Sequence, residues 1–122
     1  YSKIVQSAKI ALCLFSKGNI DDITIRCIEI PALGTLLCSE STQTIKNLLK
    51  DKLEAVYFRN ANDCFKICRK LLKNDNLIKK ISKNGNYKIT KILKPESENI
   101  LKKIISITFK NEKIKNKFIY KF

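Results

Sequence analysis

Histidine, methionine and tryptophan are absent from this sequence, while glycine occurs three times and proline twice. Each gap excludes something. Without histidine, neither a Ser-His-Asp nor a Cys-His nucleophilic engine can be assembled within the chain. The three glycines, Gly18, Gly34 and Gly85, form neither a Gly-x-Gly-x-x-Gly turn nor a Walker loop, which argues against a P-loop NTPase or an ordinary dinucleotide site. No apolar run approaches the roughly 20 residues that span a bilayer. The longest, Ile10 to Phe15, is strand-sized. No secretory signal pattern is visible. With no methionine and Tyr1 in first place, the chain reads as a fragment or a processed product, so further parts of the protein are expected.

Arginine is scarce too: Arg26, Arg59 and Arg69 are the only ones among 25 basic residues. The net charge of +14 is unevenly placed, with 8 basic against 6 acidic residues in 1–61 and 17 against 5 in 62–122. A basic second half points to nucleic acid or an anionic membrane surface. Nucleic-acid readers favour arginine for two-point contacts and expose aromatics for stacking. Lysine, asparagine and isoleucine rise together here, as an AT-rich coding sequence would produce. Nucleic acid is therefore not expected as a partner. The expected location is the cytoplasm, with peripheral contact at the inner face of the membrane as a second expectation.

Five cysteines, Cys13, Cys27, Cys38, Cys64 and Cys68, each sit inside an apolar stretch. Their odd number and apolar neighbours predict free thiols acting as small buried hydrophobes in a reducing compartment. Cys64 and Cys68 are spaced to share a helix face, but a metal needs more ligands than two. Neither a metal nor another cofactor is expected.

Along the chain, Ile4, Val5 and Ala8 suggest a short amphipathic helix. Ile10 to Phe15 reads as a strand buried on both faces, as in a parallel sheet. Asp21, Asp22 or Thr24 can cap a helix that runs to about Ala32 and ends at Gly34, with Pro31 awkward in its last turn. Thr35 to Cys38 and Ala55 to Phe58 read as two further buried strands. Between them, Thr42 caps a helix carrying Ile45, Leu48 and Leu49. Asn62 or Asp63 caps a helix with the stripe Cys64, Phe65, Ile67, Cys68, Leu71 and Leu72. Asp75 or Asn76 opens another, interrupted or ended at Gly85. After a break at Pro95, a last helix carries Ile100, Leu101, Ile104 and Ile105. Strands alternating with helices call for an α/β fold with a parallel sheet flanked by helices.

Ligands of an open parallel sheet bind beyond the carboxyl ends of its strands. Those ends are 16–22, 39–42 and 59–62. The first leads into a helix N-terminus near Thr24, where free N–H groups and the helix dipole favour an anion. Arg26 and Glu29 lie three apart on one face of that helix. Arg26 can contact a diphosphate and Glu29 can accept from ribose hydroxyls. The alternative is a surface pair worth a few tenths of a kcal/mol.

The stretch Thr24-Ile-Arg-Cys-Ile-Glu-Ile-Pro-Ala-Leu-Gly34 resembles the Thr-x-Arg-x-x-Glu-x-x-Ala-x-Gly signature of spore-coat, CgeB-like glycosyltransferases. Leu36-Leu-Cys-Ser-Glu-Ser-Thr42 resembles that family's apolar strand followed by Glu-x-Thr, which brings in Glu40 and Thr42. Glu54-Ala-Val-Tyr-Phe58 and Ile81-Ser-Lys-Asn-Gly85 resemble two later blocks, and the likeness covers about residues 3–93. It implies a Rossmann-like domain, the C-terminal, donor-binding half of a GT-B glycosyltransferase. By the same resemblance Glu29 matches the second acid of a Glu-x7-Glu motif, which holds the donor ribose. Asp21 stands at the first position, an aspartate for a glutamate, and Cys13 replaces a polar residue near the end of the first strand. The expected division is a nucleotide-sugar-binding domain over 1–93 and a helical, lysine-rich extension over 94–122. The expected function is glycosyl transfer from a nucleoside diphosphate sugar, through Asp21, Thr24, Arg26, Glu29, Glu40 and Thr42. The acceptor is unnamed by the sequence, and its site and any catalytic base are assigned to a missing N-terminal domain. The alternative function is a non-catalytic basic module that binds an anionic surface or nucleic acid through residues 62–122.

Overall fold

Strand β2, Leu36–Glu40, lies at the centre of a three-stranded sheet with the order β1-β2-β3. It pairs in parallel with β1, Ile10–Cys13, and with β3, Val56–Phe58. Leu36, Leu37, Cys38 and Ser39 are all fully buried, so the central strand is covered on both faces. That is why it reads as a continuous apolar run rather than an alternating one. The computed structural model describes residues 1–18, 22–93, 96, 98 and 99. Asp21, Pro95 and the helix expected over Ile100 to Ile105 lie outside them. The chain divides into two compact units, Tyr1–Thr90 and Lys91–Phe122, and the sheet belongs to the first.

The register Ile10↔Leu36 and Cys38↔Val56 puts Ile10, Leu12, Leu36, Cys38, Val56 and Phe58 on one face, because side chains alternate along a strand. Helices α4, Ala61–Leu71, and α5, Asp75–Tyr87, cover that face with Leu71, Ile78 and Ile81. The opposite face carries Cys13, Ser39 and Tyr57. It meets α2, Arg26–Ala32, and α3, Gln43–Leu48. There the Cys13 and Cys27 sulfurs lie 3.6 Å apart, and the Tyr57 hydroxyl reaches the carbonyls of Ile45 and Leu49. The short α1, Ser2–Ser7, is anchored by buried Val5, whose carbonyl accepts from the Thr35 hydroxyl at 2.7 Å. This is the α/β, Rossmann-like arrangement of a parallel sheet between helices.

The first strand departs from expectation. It ends at Cys13, and Leu12 and Leu14 are 52% and 68% exposed, so it is not buried on both faces. Among the described residues β1 has a neighbour on one side only, and its outer apolar side chains therefore lack half of their cover.

Helix starts follow a common pattern. Thr42 caps α3 as expected, accepting from the Ile45 amide at 3.2 Å. The caps of α4 and α5 lie earlier than expected: Asn60 rather than Asn62 or Asp63, and Asn74 rather than Asp75 or Asn76. Each asparagine accepts from an amide three residues on, at 2.8 Å for Asp63 and 3.1 Å for Leu77. The aspartates occupy the first turn instead, where the helix dipole favours a negative charge. Asp63 also accepts from the Arg59 amide at 3.0 Å. None of Asp22, Thr24 or Ile25 supplies a side-chain cap to α2, whose N-cap position is Ile25.

Helix α2 ends as its glycine predicts. Gly34 takes φ +84°, its amide donates to Pro31 at 2.9 Å, and the Thr35 amide donates to Ile30 at 3.3 Å. These two bonds make a Schellman ending, in which the left-handed residue escapes the Cβ penalty by being glycine. Pro31 stays inside the helix, buried, and the Asn86 amide of α5 donates to the Pro31 and Ala32 carbonyls at 3.0 Å each. Gly85 does not end α5, which runs on to Tyr87. A Cβ at Gly85 would overlap the Glu54 carbonyl and touch the Pro31 ring, so glycine is there for close helix approach.

Candidate functional site

The carboxyl ends of all three strands open into one cavity of about 330 Å³. Phe15, Ser16 and Lys17 come from the loop after β1, Glu40, Ser41 and Thr42 from the end of β2, and Phe58 and Arg59 from the end of β3. A parallel sheet places its ligands at this end, because the loops that follow the strands converge there. The cavity is lined by two aromatic residues, hydroxyl residues from two loops, one acid and two basic residues.

Glu40 and Thr42, both expected site residues, line this cavity and also shape it. The Phe15 amide donates to a Glu40 carboxylate oxygen at 2.6 Å. The Thr42 hydroxyl donates to the Asp22 carbonyl at 2.6 Å while accepting from the Ile45 amide. The segment joining β1 to α2 is thus tied to the β2–α3 loop near both of its ends. Lys17 sits on that segment, so these bonds also place a cation at the cavity.

Thr24, Arg26 and Glu29 do not line the cavity. Thr24 packs its hydroxyl against the end of β1, 3.4 Å from the Cys13 sulfur and 3.9 Å from that of Cys27. The hydrogen bond with Cys13 lowers the Cys27 thiol, while that same bond and burial raise Cys13. Arg26 and Glu29 are both exposed on α2 and do not pair with each other. The surface ion pair weighed for them is therefore not formed. The amides of Cys27 and Ile28 already donate to the carbonyls of Thr24 and Ile25, at 3.0 Å each. That narrows the anion site expected at the helix start, whose first-turn N–H groups are partly spent within the turn. Asp21 lies outside the described residues.

Two cations of the cavity, Lys17 and Arg59, were not singled out by the sequence. Arg59 follows β3 directly and is 82% exposed, with its Nε 3.6 Å from Asp63. Its position after a buried strand was a usable signal, since the strand-end segments were identified. Which of them face one another depends on the strand order, which spacing alone does not reveal. Of the five cysteines, none of which is disulfide-bonded in this structure, Cys13, Cys27 and Cys38 are buried as expected, whereas Cys64 and Cys68 are half-buried.

A family model described as "Glycosyl transferase-like" matches residues 1–104. No curated protein and no solved structure matches the chain. No helix among the described residues is long and apolar enough to cross a membrane.

Proposed function

Because the chain belongs to the glycosyl transferase-like family, we propose that the cavity at its strand ends receives a nucleoside diphosphate sugar, whose glycosyl group passes to an acceptor. The observation that carries this reading is the convergence of Lys17, Glu40, Thr42 and Arg59 around one opening at the carboxyl edge of a parallel sheet. A diphosphate needs cations and hydroxyls, and a nucleoside needs an apolar wall. Phe15, half-buried at the mouth, supplies such a wall.

In the transfer, the bond between the anomeric carbon and the diphosphate oxygen breaks while the acceptor oxygen bonds to that carbon. Negative charge grows on the departing diphosphate. Fixed positive groups lower the barrier when they are already aimed at that charge. The cavity cations Lys17 and Arg59 take this role, and Arg26, exposed on α2 outside the lining, joins them if the donor extends across the start of that helix. Glu29 accepts from the ribose hydroxyls, one turn along the helix that opens behind the β1 loop. Asp21 stands at the first acid position of the Glu-x7-Glu pattern, with aspartate in place of glutamate. The reading extends to a two-domain GT-B enzyme of CgeB-like type, in which this chain is the donor half. The acceptor and any proton-accepting base then belong to the other half.

Arg26→Lys tests whether the donor site reaches from the cavity onto α2. Lysine keeps the charge but loses the planar fork that contacts two phosphate oxygens at once. In the complete protein, turnover of nucleotide sugar is expected to fall about tenfold or more while thermal stability stays unchanged. Wild-type turnover in Arg26→Lys would remove the guanidinium from the diphosphate site. An equal loss of turnover and stability would make Arg26 a support of the fold.

A further inference from the structure

Away from the donor cavity, on the sheet face covered by α4 and α5, three cysteines converge. Cys38 comes from β2, and Cys64 and Cys68 from successive turns of α4. Their three sulfurs lie within 4.8 Å of one another, and those of Cys38 and Cys68 are 4.0 Å apart. The sequence shows only the helical pair, because Cys38 is 26 positions away from Cys64 and joins them through the packing of α4 on the sheet.

Those separations suit a shared ion. Thiolates about 2.3 Å from one metal stand about 4.0 Å apart in a trigonal plane and about 3.8 Å apart in a tetrahedron. They do not suit a disulfide, whose sulfurs are about 2.0 Å apart. Cys38 is fully buried, while Cys64 and Cys68 are half-buried. A cleft of about 400 Å³ lined by Lys9, Ile10, Leu12, Cys68 and Leu72 borders the cluster at Cys68. Among the described residues, no further cysteine or carboxylate joins the group as a fourth ligand. Soft thiolates select soft ions, and an all-sulfur set of three suits a d10 cation that accepts three ligands.

We propose that Cys38, Cys64 and Cys68 bind one soft d10 cation through three thiolates, with Cu(I) as the ion that this set fits best. Three thiols lose their protons to solvent as three metal–sulfur bonds form, and no electron is transferred. The ion would tie the central strand to α4, a cross-link of the kind a disulfide makes elsewhere. It lies on the opposite sheet face from Cys13 and Cys27, so it does not depend on the donor reading.

The test uses the full chain, reduced and kept free of oxygen, in a Cys13→Ser background that removes the other close pair of sulfurs. Cu(I) is delivered from a chromogenic chelator, and Cd(II) serves separately as a spectroscopic probe. The expected result is thiolate-to-metal charge-transfer absorption that saturates at one ion per chain, with a raised Tm. Cys64→Ser and Cys68→Ser are expected to weaken binding by at least about a hundredfold, beyond what even outer-shell partners cost. Where a variant fails to fold, alkylation decides without substitution: a bound ion slows the reaction of Cys64 and Cys68 with iodoacetamide. Absent or unsaturable absorption, binding unchanged in the serine variants, or alkylation unaffected by the ion would each overturn the proposal and leave the three as packing residues.

Discussion

Glu40 and Thr42 show how one side chain can serve both the fold and a ligand. Glu40 spends one carboxylate oxygen on the Phe15 amide, and Thr42 spends its hydroxyl on Asp22 and Ile45. Both still line the cavity. Glu29 differs, because it is exposed on α2 and α2 needs nothing from it as a cap. Glu29→Ala is therefore expected to leave thermal stability intact and to weaken donor binding. A lost charge-assisted hydrogen bond costs about 1.5–3 kcal/mol, or roughly ten- to a hundredfold in affinity. Calorimetric titration of the complete protein with nucleotide sugar checks it, and unchanged affinity would remove Glu29 from the site. Tyr57 is the contrasting residue. Its buried hydroxyl donates toward the Ile45 carbonyl at 3.2 Å and the Leu49 carbonyl at 2.6 Å, joining β3 to the end of α3. Tyr57→Phe is expected to cost about 1–2 kcal/mol in urea unfolding, because the Leu49 carbonyl loses its donor while that of Ile45 keeps the Leu49 amide. Burial pushes the phenol above its ordinary value, with the neighbouring Asp51 charge adding to the shift. An acid whose folded pKa is raised contributes stability that is complete below the unfolded pKa and is lost as pH climbs above it. The wild type should therefore lose stability above about pH 10. Tyr57→Phe should remove the phenol's share of that alkaline loss and leave the share of the raised thiols Cys13 and Cys38.

At the scale of elements, the apolar runs were legible because a central parallel strand has no polar face to hide. Leu36 to Ser39 shows this directly. The edge position of β1 was not legible, since nothing in Ile10 to Phe15 says how many neighbours the strand has. Helix caps were readable in kind but shifted in place. Asn60 and Asn74 cap, while the aspartates that follow sit inside the first turn. Gly85 was misread because a glycine in a helical stripe looks like an ending, and only the approach of the Glu54 backbone explains it. That contact sets the sign of a prediction. On helix propensity alone, Gly85→Ala should stabilise by about 1 kcal/mol. Overlap of the new Cβ with the Glu54 carbonyl should reverse this and cost about 1–3 kcal/mol, as overpacking does. Thermal unfolding distinguishes the two, and a raised Tm would mean that α5 can move away from Glu54 freely.

For the whole molecule, the candidate site was half legible. The rule for parallel sheets pointed to the strand ends, and the family resemblance brought in Glu40 and Thr42. Lys17 and Arg59 join them only because β1 and β3 flank β2 on opposite sides, a fact of topology rather than of spacing. The same limit hid Cys38 beside Cys64 and Cys68. The central claim is that a nucleoside diphosphate sugar sits where the three strands end. Amide chemical shifts of the isotopically labelled chain, followed during titration with nucleoside diphosphates of each base at moderate ionic strength, test it most directly. The method also detects weak binding. The account predicts saturable shifts, stronger for one base, at Lys17, the amides from Glu40 to Thr42, Arg59 and the first turn of α2. Saturable shifts confined to α4 and α5, equal for all bases and erased by added salt, would contradict it and point to a basic surface instead.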